Sequence, residues 1–142
     1  METNENNNVM REVTNYNLLP NNTFGIEAHC ERFIEYSSVA EAQQTARLIN
    51  DSKKPLLIIG AGSNLLLTSD FSGIVVHSTI KGHEEHEDPK TGDTLMRCGS
   101  GMTWDDIVAL CVDNGWHGAE NLSLIPGEVG ASAIQNIGAY GA

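Results

Sequence analysis

Two glycine-rich segments contain the residues best suited to hold a ligand. The first, residues 60–64, reads GAGSN and directly follows the apolar run Leu56–Ile59. A strand that ends in such a loop presents successive backbone N–H groups as a concave anion site, and Ser63 and Asn64 add polar side chains. Tight turns use the same residue types, so this loop alone is compatible with a phosphate site or with an ordinary turn.

The sequence around this loop excludes two common nucleotide-binding motifs. A Rossmann fingerprint requires a third glycine at position 65, followed by a helix, but here the loop runs into Leu65-Leu66-Leu67. A P-loop requires Gly-Lys-Ser/Thr, which does not occur in this sequence. An anionic ligand would therefore depend on the backbone N–H groups of the loop.

The second segment, residues 125–142, has glycine at positions 127, 130, 138 and 141 and almost no charge. Glycine is needed where φ is positive or where the backbone closely approaches another group. A helix that starts near Gly130 would present free N–H groups and its positive dipole end to an anion. The two segments together predict an extended ligand such as a dinucleotide. An apolar wall for a flat ring is expected from Ile125, Ile134 and Ile137.

Length, charge and cysteine content narrow the function classes. The 142 residues are enough for one domain, or for one domain and part of another. A net charge of −11 repels phosphate backbones and argues against a nucleic-acid partner. The apolar runs are too short to span a bilayer, which argues against a membrane partner. Cys30, Cys98 and Cys111 provide no disulfide framework and suit a reducing cytoplasm.

Hydrophobic patterning predicts an α+β fold with the order β-α-β-β-β-α and a glycine-rich tail. Strands are expected at 32–36, 56–59, 73–77 and 94–98. The continuous apolar run at 56–59 predicts a strand that is buried on both faces. The Asn-rich residues 1–20 are expected to be a disordered lead-in, because they contain no apolar signal core and few groups to bury.

Two helices are predicted from their N-terminal signals. Ser38 with Glu41, and Thr103 with Asp106, have the spacing of capping boxes. Gly115 occupies the position of a helix C-terminal glycine. The apolar stripe of the first helix is expected at Val39, Ala42, Ala46 and Ile49.

Residues 81–93, KGHEEHEDPKTGD, are predicted to form a polar hairpin loop. His83 and His86 lie among four acidic residues, a composition that resembles a metal site. Pro89 and Gly92 favour a loop over the helix that would bring both imidazoles to one face. Because blocks of charge are usually solvated, the prediction is an exposed acidic loop and no metal.

Four motifs in order carry a family resemblance: 22–25 (NTFG), 60–66 (GAGSNLL), 125–127 (IPG) and 135–141 (QNIGAYG). They resemble the UDP-N-acetylenolpyruvylglucosamine reductase (UDP-N-acetylmuramate dehydrogenase) family. The resemblance implies the FAD-binding fold shared with vanillyl-alcohol oxidase and p-cresol methylhydroxylase, incomplete at its C-terminus. Residues 21–142 would be the N-terminal portion of that FAD-binding domain, with the substrate domain missing.

The resemblance also implies a cofactor and a reaction. FAD would be bound non-covalently and reduced by NADPH, and the enolpyruvyl group of a UDP-sugar would then be reduced to UDP-N-acetylmuramate for peptidoglycan synthesis. The full-length protein would be a monomeric bacterial cytoplasmic enzyme. The loop 60–64 would contact the pyrophosphate, and the second segment would line the flavin and its ribityl chain. The expected cofactor-binding residues are Gly60, Ala61, Gly62, Ser63, Asn64, Leu65, Gly127, Gly130, Ser132 and Ile137.

No catalytic residue is assigned, because the family's proton-donating serine and its arginine and glutamate neighbours follow the GAYG motif. Residues 1–142 alone are therefore expected to bind FAD weakly or not at all and to lack turnover. One alternative is an alcohol-oxidase-type flavoprotein of the same fold, with covalent flavin at His77, His117 or Cys98. Another is a truncated flavin-binding module without redox turnover. In the leading interpretation, Gly62→Val should clash with the ligand and leave the fold near native.

Overall fold

The structure is a computed structural model in which residues 10–140 are described. It combines strands and helices, which confirms the predicted α+β class. The strands are β1 (Arg11–Asn17), β2 (His29–Tyr36), β3 (Leu56–Ile59), β4 (Phe71–Ser78), β5 (His83–Glu87) and β6 (Thr94–Cys98). The helices are α1 (Val39–Ser52), α2 (Trp104–Asp113) and α3 (Val129–Ser132), with short 3₁₀ turns at Leu19–Asn21, Glu120–Leu122 and Ile137–Tyr140.

Four strands form the main sheet in the order β1-β2-β4-β3. β2, β4 and β3 are parallel, and β1 is antiparallel to β2. Tyr36 at the end of β2 is in register with Ser78 at the end of β4, and Ile59 at the end of β3 is in register with His77. The carboxyl ends of three strands therefore meet at one edge, from which the loop 60–64 emerges.

The sheet carries a cluster of apolar side chains on each face, because neighbouring residues of a strand point to opposite sides. One cluster lies around Phe33 and Val75, and the other around Ile34 and Ile74. All four of these side chains are fully buried. Cys30 belongs to the first cluster, where burial raises the pKa of its thiol. These two clusters fix the strand register on which the geometry of the site depends.

Helix α1 begins at the predicted capping box but turns a different face inward. The Ser38 hydroxyl accepts a hydrogen bond from the Glu41 N–H, and the Glu41 carboxylate accepts one from the Ser37 N–H at 2.6 Å. Glu41 and Thr45 are buried, whereas Val39 is 66% exposed. The predicted stripe was therefore wrong at Val39 and at Ala46, which is also exposed, because the capping contact of Glu41 draws the polar face of the first turn inward.

Helix α2 forms as predicted, but its predicted capping box was wrong. Thr103 is the N-cap residue without a side-chain hydrogen bond to the helix. Asp105 instead accepts hydrogen bonds from the Leu124 N–H and the Ser123 hydroxyl, and both contacts lower the pKa of its carboxyl group. Gly115 follows the helix with φ of +69°, which confirms the predicted C-terminal glycine.

The predicted disordered lead-in at 1–20 is corrected over its second half. Arg11–Asn17 pairs with β2 as the antiparallel edge strand β1, and the rings of Tyr16 and Phe33 stack with centroids 4.2 Å apart. The ladder uses backbone groups that an Asn-rich composition does not reveal, and Tyr16 supplies the apolar contact. Residues 1–9 lie outside the described part of the chain.

The prediction that β3 is buried on both faces was wrong. Leu56 is 42% and Ile58 is 67% exposed, whereas Ile59 is buried. β3 is the last strand of the sheet, and α1 packs against β2 rather than over β3. The outer face of β3 is therefore accessible within the described residues, and Ile58 lines a cavity there.

The acidic segment is exposed, as predicted, but it is a strand rather than a loop. β5 pairs with β6 in a separate two-stranded sheet, and all five residues of β5 are exposed. The turn itself spans 88–93, where the Asp88 N–H donates to the Asp93 carbonyl. Within residues 10–140, no group of three or more metal-ligating side chains is placed to hold an ion.

Replacing His83 and His86 together by serine should change the free energy of unfolding by no more than about 0.5 kcal/mol, since both side chains are solvated. Thermal unfolding with and without Zn²⁺ checks this expectation. A Zn²⁺-dependent rise in the wild-type midpoint that the double variant loses would show that the segment does bind metal.

Candidate functional site

The two predicted segments face each other across a cleft at the carboxyl edge of the sheet. The cleft has a volume of about 250 Å³. Residues 57–65 form one side, and Gly127, Ala131, Ile134 and Gln135 form the other. The structure therefore brings together the two segments that the sequence proposed as parts of one ligand site, although about 60 residues separate them along the chain.

The loop 60–64 has the backbone geometry of an anion site. Gly62 has a φ of +66°, and its carbonyl accepts a hydrogen bond from the Thr23 N–H at 3.2 Å. The N–H groups of residues 61–65 donate no hydrogen bond to any other group of the described chain. Unpaired consecutive N–H groups in a turn with one left-handed residue attract anions. The observed loop therefore fits a pyrophosphate group.

Close packing explains the glycines that line the site. A Cβ atom at Gly60 would lie 2.9 Å from the Ala131 Cβ, and one at Gly130 would lie 2.8 Å from the Ser100 Cβ. Gly127 has a φ of +137°, which disfavours any other residue. These positions allow the second segment to lie directly on the loops 60–63 and 99–102.

Gly62 is required for a different reason than the sequence suggested. A Cβ atom there would overlap the Asn21 carbonyl and lie 2.8 Å from the Asn22 Cα. The expected clash of Gly62→Val is therefore with the chain's own backbone at 21–22. The loop rests on this turn, so a larger residue would displace the loop itself.

The NTFG motif at 22–25 holds that supporting turn together. The buried Asn22 side chain donates to the carbonyls of Leu18 and Ile26 at 2.9 and 2.8 Å, and it accepts from the Ile26 N–H at 2.9 Å. Thr23 then contacts the Gly62 carbonyl. Phe24 is 60% exposed. The motif therefore positions the loop 60–64.

The predicted anion site at the start of α3 was wrong. The helix begins near Gly130 as expected, but the Val129 N–H donates to the Met102 carbonyl and the Gly130 N–H to the Ser100 carbonyl, both at 2.9 Å. These groups are therefore not free for a ligand. Ser132 is not among the residues that line the cleft, and its hydroxyl donates to the Val129 carbonyl at 2.8 Å.

The three isoleucines expected to form one apolar wall are divided between cavities. Ile134 lines the cleft and an adjoining cavity of about 390 Å³. Ile125 and Ile137 line a smaller cavity of about 180 Å³ together with Ser63 and Asn64. The Ser63 hydroxyl donates to the Pro126 carbonyl at 3.1 Å, so it joins the two segments.

A buried histidine between two carboxylates was missed by sequence reasoning. His77 Nδ1 lies 3.1 Å from Glu35 Oε2, and His77 Nε2 lies 3.1 Å from both carboxylate oxygens of Glu128. The Glu128 hydrogen bond raises the pKa of His77 most, burial opposes this shift, and Glu35 adds to it. One signal was available, since Glu128 is the single charged residue in 125–142.

The positions of His77, His117 and Cys98 argue against the alternative in which flavin is attached covalently. Both ring nitrogens of His77 contact carboxylates. His117, which lies 3.7 Å from a Glu120 carboxylate oxygen, and Cys98 on β6 line none of the three cavities described above. The three candidate attachment residues therefore do not converge on the cleft.

Among the helices of residues 10–140, none is long and apolar enough to cross a membrane.

The fold and site are those of an FAD-binding domain. Residues 30–142 match the FAD binding domain family model, and the chain belongs to that family. This membership confirms the expected FAD. The fold is also that of the UDP-N-acetylenolpyruvylglucosamine reductase from Thermus caldophilus, with a TM-score of 0.58 and 21% identity. That alignment covers 87% of this chain and 40% of the Thermus chain.

Several curated relatives of the chain share one enzyme name. The chain is 53% identical over 131 residues to the UDP-N-acetylenolpyruvoylglucosamine reductase of Bacteroides fragilis and 50% identical over 130 residues to that of Porphyromonas gingivalis. It is 44% identical over 126 residues to the enzyme of a Shewanella strain. Each alignment covers 89% of this chain, and the chain spans 36–37% of the relatives' length. The family resemblance drawn from the four motifs is thereby confirmed.

Proposed function

We propose that the chain is the FAD-binding part of a UDP-N-acetylenolpyruvoylglucosamine reductase. In this reaction NADPH supplies hydride, and UDP-N-acetylglucosamine enolpyruvate is reduced to UDP-N-acetylmuramate in the bacterial cytoplasm. The observation that carries the proposal is the 53% identity to a reductase of that name over 89% of the chain. The cleft beside the unpaired N–H groups of 61–65 supports it independently.

The residues of the chain have distinct tasks in this proposal. The backbone of 60–65 binds the pyrophosphate, and bound FAD supplies reversible hydride transfer. Gly127 and Gly130 bring the second segment close to the loop, and Ile137 lies beside Ser63 and Asn64 along the cofactor. Ser132 acts indirectly, since its hydroxyl stabilises the α3 turn. No nucleic-acid or membrane partner is invoked, and the complete protein acts as a monomer.

Reduction of the enolpyruvyl group also requires a proton donor within hydrogen-bond reach of the substrate carbon. The family resemblance implies that this donor is a serine, and that the serine and its arginine and glutamate neighbours follow the GAYG motif. We therefore expect residues 1–142 alone to bind FAD weakly and to lack turnover.

Comparison of residues 1–142 with the polypeptide encoded by the complete reading frame tests the proposal. The complete polypeptide should retain FAD through desalting, release it on denaturation, and oxidise NADPH only when the UDP-sugar enolpyruvate is added. Residues 1–142 should show weak flavin binding and no substrate-dependent NADPH oxidation. Turnover by residues 1–142 would place a catalytic group inside this chain. A complete polypeptide that holds FAD but ignores the UDP-sugar would contradict the proposed reaction.

A further inference from the structure

The contact of His77 with two glutamates joins three parts of the fold. Glu35 is near the end of β2, His77 is near the end of β4, and Glu128 directly precedes α3. All three side chains are mostly shielded from solvent, with exposed fractions of 24%, 11% and 16%. His77 therefore links the sheet directly to the second glycine-rich segment through its side chain.

We propose that Glu35, His77 and Glu128 form a charge-compensating bridge that makes FAD affinity depend on the proton held by His77. The inference rests on the proposed cofactor-binding function of the chain. His77 is a positioning residue in this inference. It contacts Glu128, which lines the cavity next to the cleft, and His77 itself lines neither cavity.

The position of Glu128 gives the bridge its effect on an anion. Its carboxylate would lie 3.4 Å from a Cβ atom at Gly60, the first residue of the loop 60–64. It also lines the 390 Å³ cavity next to the cleft. An uncompensated negative charge there would repel a pyrophosphate group. Protonated His77 removes that repulsion and fixes the Glu128 carboxylate on the side of the sheet.

The charges around His77 balance only when its ring is protonated. Glu35 faces it from β2 and Glu128 faces it from the segment before α3, and Arg11 from β1 lies 3.6 Å from the other oxygen of Glu35. β3 contributes the uncharged Ile59, and the loop 99–101 contributes no charged residue. Protonated His77 and Arg11 thus provide two positive charges against the two carboxylates of Glu35 and Glu128. When His77 loses its proton, Arg11 is the one positive charge left among these four groups.

The direction of the pH dependence follows from this balance. The two glutamates raise the pKa of His77 above its unfolded value, which is about 6.5. The stabilising contact is then fully present below the unfolded pKa and is lost as the pH rises through the raised pKa. FAD affinity and thermal stability should therefore both fall as the pH rises through this raised pKa.

The experiment measures FAD dissociation constants by flavin fluorescence in the complete polypeptide between pH about 6 and about 9, the range that brackets histidine titration. The wild-type dissociation constant should rise about tenfold over this range, as expected for one charge near a diphosphate. His77→Gln should bind FAD as weakly at low pH as the wild type does at high pH. Glu128→Gln should bind FAD tightly throughout, since it removes the repelling charge and keeps a hydrogen-bonding group.

His29→Gln is the matched control, because His29 lies at the opposite end of the parallel strands beside Asp70 and should leave the profile unchanged. A purely structural role for the bridge predicts weaker binding by Glu128→Gln at every pH, which would overturn the inference. A wild-type constant that does not change with pH would also overturn it. If His77→Gln does not fold, the wild-type and Glu128→Gln profiles still decide. Absence of FAD binding at every pH would instead overturn the proposed function, and the inference with it.

Discussion

Replacing Gly62 by alanine is expected to destabilise the protein by about 3 kcal/mol or more. Two costs combine at this position. The φ of +66° disfavours any side chain, and the new Cβ would overlap the Asn21 carbonyl of the supporting turn. The loop can relieve the overlap only by leaving that turn, so FAD affinity should fall together with the thermal unfolding midpoint.

Gly25→Ala separates these two costs. Gly25 has nearly the same φ, +65°, but a Cβ atom there meets nothing within 4 Å. This variant should cost only about 1 kcal/mol, the lower end for an unfavourable φ. Equal destabilisation by the two alanine variants, measured by chemical denaturation, would show that the close approach to Asn21 has no energetic importance.

Replacing Asn22 by aspartate should be comparably damaging, at about 3 kcal/mol or more. The side chain is buried, and its amide group donates to the carbonyls of Leu18 and Ile26. A carboxylate of the same shape would lose both donors and face two carbonyl oxygens with a negative charge. Because Thr23 links this turn to Gly62, loss of FAD binding should accompany the loss of stability.

Asn21→Asp is the matched control for that variant. Asn21 is partly exposed, and its side-chain oxygen accepts a hydrogen bond from the Tyr16 hydroxyl at 3.0 Å. An aspartate can accept the same bond, so the unfolding midpoint should change little. If Asn21→Asp is as harmful as Asn22→Asp, added negative charge rather than the lost donors would explain both results.

Local patterns were sufficient to predict the elements of the site. The apolar run before GAGSN predicted a strand that ends in a ligand loop, and the glycines of 127–130 predicted close backbone approach. Both expectations agree with the cleft that joins 57–65 to Gly127 and Ala131. Strand, loop and glycine preferences act over a few neighbouring residues, and this makes them readable without a structure.

The partners of these elements could not be predicted, because they are distant in sequence. Gly62 rests on a turn about 40 residues earlier, and the N–H groups at the start of α3 are taken by carbonyls about 30 residues earlier. The His77 bridge needs the ends of two strands and one loop to meet, and β1 needs an edge of β2. Only the folded chain brings these groups together.

The position of β3 has a consequence for the colloidal behaviour of the protein. Within the described residues, this strand has β4 on one side and no strand on the other, and its sequence LLII leaves Ile58 67% exposed. An apolar strand with a free edge is a template for intermolecular β-pairing and fibril growth. Lys53, Lys54 and Pro55 directly precede it. Positive charge and a residue without an N–H group oppose such pairing, so we expect Lys53 and Pro55 to limit aggregation at this edge, whereas the charge of Lys54 is paired with Glu31.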